Sequence, residues 1–266
     1  MAETDKAVYA LLVCGRYSAL ATVLLGNCHA LQHSVEIMTN FHFVDDYERH
    51  VDQLILNHPL PEAMSLAVGG YYEEFSVILA EVLVQNGLRD GMSLVDLGCG
   101  SGRAAKGVSK RVKVDYLGTD VVKRLLDYAA TVCPRHYRFI CHQELSVPAA
   151  DASADMVCAF SLFTHLLHEE SYIYLQESHR VLKPGGTVVM SFLEFANPCH
   201  WAIFGPTMEG RKTNARQPLN MFIERNAIDV WCGHLGFVRE SFVDGTDTRW
   251  NGSALGQSLA VLRKPT

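Results

Sequence analysis

The chain has 266 residues, of which 48% are hydrophobic and 20% are charged, and it carries a formal net charge of −6 at neutral pH. This length can bury a full hydrophobic core, so we expect one globular domain with appended elements. The acidic balance provides no electrostatic footprint for a polyanion, which argues against DNA or RNA as a partner.

Two features of the sequence bear on the compartment. The eight cysteines are scattered and form no Cys-x-x-Cys pair, so we interpret them as reduced thiols of a cytoplasmic protein. The apolar stretch Ala7–Leu25 is interrupted by Arg16 and follows no basic segment. It is therefore a poor signal peptide and a poor membrane span, and we expect no membrane association.

The N-terminal quarter of the chain precedes its glycine-rich motif and is predicted to be helical. Apolar residues recur near helical spacing over residues 5–38, over Phe41–Leu56 and again over Phe75–Val84. We predict that residues 1–68 form a helical extension to a domain over residues 69–266. This extension either covers the active site or serves as a packing or dimer contact.

The stretch Leu94–Arg103 combines a short apolar run and Asp96 with three glycines, Gly98, Gly100 and Gly102. Residues compatible with a helix follow. A strand, a tight glycine turn and a helix start build the nucleotide site at the carboxyl end of the first strand in an open α/β sheet. Such glycines permit unusual backbone angles, close ligand approach and close helix packing.

Two carboxylates indicate which nucleotide ligand the site would bind. Asp96 lies two residues before Gly98 and would repel a pyrophosphate, whereas it suits a cation or a group with N–H donors. Asp120 ends the next apolar run, about twenty residues further on, where it can accept hydrogen bonds from both ribose hydroxyls. This pair favours S-adenosylmethionine over NAD. The alternative is a structural glycine turn with a capping aspartate.

Four stretches in order resemble the motifs of class I S-adenosylmethionine-dependent methyltransferases, in particular those that act on small molecules. They are Val95–Arg103, Gly118–Val121, Phe139–Asp155 and Arg180–Phe192. The resemblance covers about Tyr71 to Phe195. It implies a Rossmann-like, open, mostly parallel seven-stranded sheet with helices on both faces. It also implies S-adenosylmethionine as the cofactor and S-adenosylhomocysteine as the product.

The resemblance assigns a set of cofactor residues to positions in this sequence. In the family, the position held here by Gln143 is usually acidic and reaches the adenine amino group. Gln143 still accepts through its carbonyl, and Glu144 is a substitute. Tyr72 either flanks the methionine end of the cofactor or packs against the next helix. The expected cofactor residues are Asp96, Gly98, Cys99, Gly100, Gly102, Asp120, Val121, Gln143, Glu144, Phe160 and Tyr72.

A candidate general base follows the predicted fourth strand, Asp155–Phe160. His165 lies in the loop Ser161–Leu166, at the carboxyl edge of the sheet, and imidazole titrates near neutrality. It is a catalytic base, a cofactor contact or a structural residue. The spacing of His165 and His168 does not match a His-Glu-x-x-His zinc site, so no metal is expected.

The C-terminal part completes the predicted sheet. A helix over Glu169–Leu182 and a strand over Thr187–Phe192 precede Asn197–Pro218, which is rich in breakers and is predicted to be an irregular insertion capping a substrate. A last helix then leads to a terminal antiparallel strand pair. The helix spans Phe222–Leu235, and the strands are Phe237–Val243 and Leu259–Leu262.

These features predict methyl transfer to an oxygen, nitrogen or carbon nucleophile of a small molecule, preferably a heteroaromatic natural product. The stretch Phe160–Phe163 lacks the Asn- or Asp-Pro-Pro-aromatic sequence of enzymes that methylate nucleic-acid amines. The alternatives are aminopropyl transfer or a cofactor-assisted cyclisation on the same scaffold, and a non-catalytic cofactor-binding partner protein. A homodimer is compatible with each.

Overall fold

The computed structural model describes residues 41–213 and 218–266, and within them seven strands form one sheet. The strands are β1 Ser93–Leu97, β2 Asp115–Asp120, β3 Arg138–Cys141, β4 Ala154–Ala159, β5 Leu182–Phe192, β6 Val238–Val243 and β7 Ser258–Arg263. The helices are α1 His42–Asn57, α2 Leu60–Leu66, α3 Tyr72–Gln85, α4 Arg103–Ser109, α5 Lys123–Val132, α6 His168–Val181, α7 Trp201–Lys212 and α8 Arg225–Leu235. Short 3-10 turns span Phe163–His165 and Pro198–His200.

The strand order is β3-β2-β1-β4-β5-β7-β6, which confirms the predicted fold class. Strands β1 to β5 pair in parallel, and β7 runs antiparallel to both of its neighbours. The chain moves outward from β1 through β2 to β3 and then returns to place β4 on the other side of β1. This reversal opens a crevice at the carboxyl ends of β1 and β4, where open α/β sheets bind their ligands.

Both faces of the sheet are buried, as a parallel sheet between helix layers requires. Along β4, Val157 and Ala159 belong to one hydrophobic core, whereas Met156 and Cys158 belong to the other. Side chains that alternate along a strand point to opposite faces, so one strand feeds both cores. The central strands are therefore held rigidly from both sides, and so are the turns at their ends.

Helices α1 and α2 pack directly on this domain. Val51 and Met64 are fully buried in a cluster with Val122 and Leu125 at the start of α5. Phe43 joins the core on one face of the sheet. The helix predicted over residues 5–38 lies outside the described residues, and the division of the chain at residue 68 stays a prediction.

The predicted irregular stretch after β5 is wrong in part, because helix α7 fills most of it. Pro206 lies inside this helix, but the ring of Phe204 packs against Phe195 and Phe222, with centroid distances of 5.2 and 5.6 Å. Burial of an aromatic face outweighs the local cost of one proline. Conversely, the helix predicted from Phe222 begins only at Arg225, because Phe222 forms a β-bridge with Leu193.

Two further observations concern the described residues as a whole. None of the helices among them is both long enough and apolar enough to cross a membrane. Their cysteines are free thiols, several of them buried in the cores. The remaining cysteines, Cys14 and Cys28, fall outside the described part of the chain.

Candidate functional site

The glycine turn after β1 adopts backbone angles that favour glycine. Gly98, Gly100 and Gly102 have φ values of +66°, +56° and +82°. A Cβ on Gly100 would lie 2.6 Å from Cγ1 of Val68, and one on Gly102 would lie 2.8 Å from Cβ of Ala129. The turn therefore needs glycine both for its conformation and for its close neighbours.

Asp120 joins this turn to the next strand. Its Oδ2 accepts from the backbone N–H of Gly100 and its Oδ1 accepts from that of Val122, both at 2.9 Å. Burial raises the pKa of this carboxyl, while its backbone donors oppose the shift. Each carboxylate oxygen has a second lone pair, so Asp120 can hold the turn and still accept hydrogen bonds from a ligand hydroxyl.

Asp96 is a second buried carboxyl, only 2% exposed, at the end of β1. The hydroxyl of Tyr116 donates to its Oδ2 at 2.6 Å. Burial raises the pKa of Asp96 to about 6, and the neighbouring charge of Asp120 contributes in the same direction. A ligand cation near these two carboxyls would relieve that penalty.

A cavity of about 470 Å³ opens over the turn, within the size range of small-molecule sites, about 300–1,000 Å³. The structure brings most of the expected cofactor residues to its wall. They are Asp96, Gly98, Cys99, Gly100, Asp120, Val121 and Phe160.

The remaining expected cofactor residues do not line this cavity. The hydroxyl of Tyr72 donates to the backbone carbonyl of Ser101 at 2.6 Å, so Tyr72 supports the turn from behind. The exposed side chain of Gln143 donates to the carbonyl of Val121, and Glu144 meets Tyr174 through its own backbone carbonyl.

Gly102 has a structural position instead: it is the N-cap residue of α4 and has left-handed backbone angles. From the third-strand stretch, His142 lines the cavity instead of Gln143 or Glu144. Sequence spacing located the loop after β3, but its backbone path decides which side chain turns inward.

Sequence reasoning missed the opposite wall of the cavity. Phe43, Tyr47 and His50 reach it from α1, Ile203 from α7, and Asn220 from the segment after α7. These elements are far apart in the chain, and no local motif marks them. The only signal was their position, before the glycine motif and after the fifth strand.

His165 lies in the cavity wall between these two sets. Its Nδ1–H donates to the carbonyl of Leu219 at 2.7 Å, which leaves Nε2 as the acceptor of a neutral ring. Burial lowers the pKa of His165 to about 4. The ring of Tyr47 stands edge-on to it, with centroids 5.0 Å apart.

His168 and His165 contact different backbone carbonyls. The Nε2 of His168 contacts the backbone carbonyl of Phe222 at 3.1 Å, away from the Leu219 carbonyl that holds His165. Within the described residues, no group of three or more His, Cys, Asp or Glu side chains is arranged to hold a metal ion.

The comparisons with known proteins concern the same part of the chain. Residues 95–190 match the protein family described as "Methyltransferase domain". Among curated proteins, the chain is 24% identical over 150 residues to the ribosomal protein L11 methyltransferase of Halalkalibacterium halodurans. That alignment covers 55% of this chain and 45% of the relative, so the chain spans less than half of the relative's length.

Solved structures share the fold. Magnesium protoporphyrin IX methyltransferase from Synechocystis PCC 6803, solved with bound S-adenosylhomocysteine, superposes with a TM-score of 0.56 at 14% identity, over 85% of this chain and 95% of that one. The cyclase SpnF superposes with a TM-score of 0.53 at 18% identity, over 73% of this chain and 81% of that one. Identities this low show the fold alone.

The residues of the cavity fit an adenosyl ligand. The open backbone of Gly98 and Gly100 lines it, the carboxylate of Asp120 retains free lone pairs beside them, and the buried carboxyl of Asp96 suits a cation rather than a pyrophosphate. Residues 95–190, which carry these groups, match the methyltransferase-domain family, and the residues of the cavity fit S-adenosylmethionine as the cofactor of this domain.

Proposed function

We propose that this protein transfers the methyl group of S-adenosylmethionine to an oxygen, nitrogen or carbon nucleophile of an uncharged, largely apolar small molecule, preferably a heteroaromatic natural product. One observation carries the proposal. The same cavity that covers the glycine turn continues to a wall whose described residues include no carboxylate, lysine or arginine, and this wall is built from residues such as Phe43, Tyr47, Leu193, Ile203 and Asn220.

The protein's contribution to this reaction is mainly positional. When bound, S-adenosylmethionine supplies a methyl group that its sulfonium makes electrophilic. Asp120 and the glycine turn would hold the adenosyl part, and Asp96 would face its positive charge. The side chains from α1 and α7 would hold the acceptor in line and surround it with apolar groups. Alignment of two reactants in this way removes much of the entropic barrier to transfer.

His165 is the proposed proton acceptor for a nucleophile that carries a proton. The Leu219 carbonyl fixes its tautomer and leaves the lone pair of Nε2 available. Because burial lowers its pKa to about 4, the ring is neutral and ready to accept a proton throughout the physiological pH range. A nucleophile acquires a strongly acidic proton only as it is methylated, so a weak base suffices.

Partner and compartment belong to the same proposal. We propose a cytoplasmic enzyme whose partner is its small-molecule acceptor, without nucleic acid or membrane, acting as a monomer or homodimer. The net charge of −6 and the cavity volume of about 470 Å³ support a diffusible metabolite rather than a polyanion.

A different reaction on this scaffold is the alternative, because a shared fold does not determine the chemistry. The structural similarity to the cyclase SpnF illustrates the point at the level of the fold. The two classes differ in one product: methyl transfer converts S-adenosylmethionine into S-adenosylhomocysteine with each turnover, whereas a cyclisation leaves it intact.

The test is to incubate the purified protein with S-adenosylmethionine and a panel of neutral aromatic metabolites, and to quantify S-adenosylhomocysteine and methylated product by mass spectrometry. We expect the two to appear in equal amounts. Ile203→Trp should narrow the acceptor wall and slow turnover without weakening cofactor binding. Met208→Trp is the matched control, because Met208 lies on the same helix with 44% of its surface exposed. A product that forms while the cofactor stays intact would contradict the proposal.

A further inference from the structure

Arg103 is a cation in the cavity wall, and it has no role in the reaction proposed above. It is the first residue of α4, directly after Gly102 of the glycine turn. Among the described residues that line the cavity, it is the only arginine or lysine, and the only carboxylates are Asp96 and Asp120. The described lining of the cavity thus carries two carboxyl groups and one guanidinium group.

The guanidinium of Arg103 is held in place without a counter-ion among residues 41–213 and 218–266. Its Nη1 donates to the carbonyl of Gly70 at 3.0 Å, and its Cζ lies 5.0 Å from the ring centroid of Phe75. No carboxylate of the described residues forms an ion pair with it, whereas Arg111 and Arg124, on neighbouring elements, pair with Glu81 and Asp52. Its remaining N–H groups have no acceptor in the described part of the protein.

Burial makes this arrangement unfavourable for the protein alone. It lowers the pKa of Arg103 to about 10, so the side chain stays charged at neutral pH. A partly buried charge without a partner is costly, and an anion that enters the cavity would relieve the cost. Guanidinium is also suited in shape to a carboxylate, which it binds through two parallel N–H groups.

From this geometry we infer that Arg103 binds the α-carboxylate of the cofactor's methionine part and thereby selects the carboxylated cofactor over its decarboxylated form. The inference rests on the proposed function. S-adenosylmethionine has one anionic group, its carboxylate, and two positive groups, its ammonium and its sulfonium. The two aspartates can serve the ribose and the positive groups, which leaves the carboxylate for Arg103.

This selection bears on the choice of reaction. Aminopropyl transfer moves a side chain that has lost its carboxylate and therefore requires the decarboxylated cofactor. A site that depends on Arg103 would bind that compound poorly, because the guanidinium would stay buried and unpaired. Arg103 thus favours methyl transfer over aminopropyl transfer on the same scaffold.

Calorimetric titration of the purified full chain tests this without any acceptor. The two probes are S-adenosylhomocysteine and its decarboxylated analogue, and the variants are Arg103→Gln and Arg103→Lys. Arg138→Gln is the control, since Arg138 lies on β3 in an exposed ion pair with Asp115. We expect the wild type and the control to prefer the carboxylated compound by about tenfold or more, the range for a hydrogen bond to a charged group.

In Arg103→Gln this preference should disappear through weaker binding of S-adenosylhomocysteine, with the analogue nearly unaffected. Arg103→Lys should retain part of it and serves if the glutamine variant does not fold. Equal binding of both probes to the wild type, or an undiminished preference in folded Arg103→Gln, would overturn the inference alone. Failure of both probes to bind the wild type would overturn the cofactor site, and this inference with it.

Discussion

At the scale of single residues, the site combines two carboxyl groups with different tasks. Asp120 accepts from the backbone amides of Gly100 and Val122, so it is part of the turn as well as the proposed ligand for the cofactor ribose. Asp96 accepts a hydrogen bond from the Tyr116 hydroxyl, and burial disfavours its charged form and raises its pKa to about 6. One carboxylate therefore builds the site, and the other makes it receptive to a cation.

The first prediction concerns Asp120→Ala. We expect it to weaken S-adenosylhomocysteine binding by about 1–3 kcal/mol, the effect of losing hydrogen bonds made by a charged group. Because the turn amides also lose their acceptor, the free energy of unfolding should fall as well. Calorimetry and denaturant titration measure the two effects. Asp127→Ala, which removes an exposed carboxylate paired with Lys123, should change neither. Unaltered affinity in Asp120→Ala would contradict the ribose assignment.

The second prediction concerns Asp96→Asn. The native pKa of about 6 lies above the ordinary 3.8, so the folded protein binds the proton more tightly than the unfolded chain. Wild-type stability should therefore rise as the pH falls from about 6 to about 4.

The asparagine variant lacks this ionisation. It should be more stable than the wild type by about 1–3 kcal/mol above pH 6, and the difference should vanish near pH 4. Denaturant titrations across this range provide the measurement. Cofactor affinity should fall at the same time, because a cation loses its carboxylate. A variant that is no more stable than the wild type at neutral pH would show that Asp96 is not strained by burial.

At the scale of secondary-structure elements, one close contact positions the glycine turn. Helix α4 begins directly after the turn and packs on α3 so tightly that a Cβ on Gly107 would lie 1.8 Å from the carbonyl oxygen of Ser76. The backbones of the two helices touch here. Since α4 fixes one end of the turn and β1 the other, this contact transmits the position of α3 to the cofactor site.

The third prediction follows from this contact. Gly107→Ala should destabilise the protein by several kcal/mol, although alanine favours helices by about 1 kcal/mol, because α3 and α4 must separate. Gly233→Ala is the matched control: Gly233 lies within α8, and a Cβ there meets nothing within 4 Å. That variant should gain about 0.5–1 kcal/mol. Thermal unfolding of both variants provides the measurement. A Gly107→Ala variant as stable as the wild type would contradict the close packing of α3 on α4.

At the scale of the whole molecule, parts of the chain that are far apart in the sequence come together around the cavity. The sheet domain supplies the glycine turn and Asp120, α1 supplies Tyr47, and α7 with the segment after it supplies Ile203 and Asn220. A ligand that fills the cavity contacts all three, so its binding energy should stabilise the fold as a unit.

The fourth prediction uses this coupling. A ligand at a hundred times its dissociation constant stabilises the folded state by about 2.7 kcal/mol, which corresponds to a rise in melting temperature of roughly 5–10 °C for a chain of this size. We expect this rise with S-adenosylhomocysteine in differential scanning fluorimetry. NAD is the control and should produce none, because Asp96 disfavours a pyrophosphate. A larger shift with NAD would overturn the choice of cofactor.

The positions of the strands along the chain, the glycine turn and the two aspartates could be predicted from the sequence. They depend on local patterns: apolar runs of strand length, glycines where the backbone turns sharply, and a carboxylate at the end of each strand. The resemblance to a known family joined these parts into one sheet. These features build the proposed cofactor site, and seven of the eleven residues predicted for it line one cavity.

Only the tertiary structure decided what surrounds that site. Tyr72 turns to the back of the glycine turn, Gln143 faces solvent, and His142 takes the place on the cavity wall. Tyr47 and Ile203 line the same cavity although more than half of the chain separates them. Contacts between distant segments depend on how whole elements pack, and the sequence of one element does not contain the surface of its neighbour. Local sequence patterns thus predict the proposed cofactor site, whereas the packing of distant elements determines the wall that is proposed to bind the acceptor.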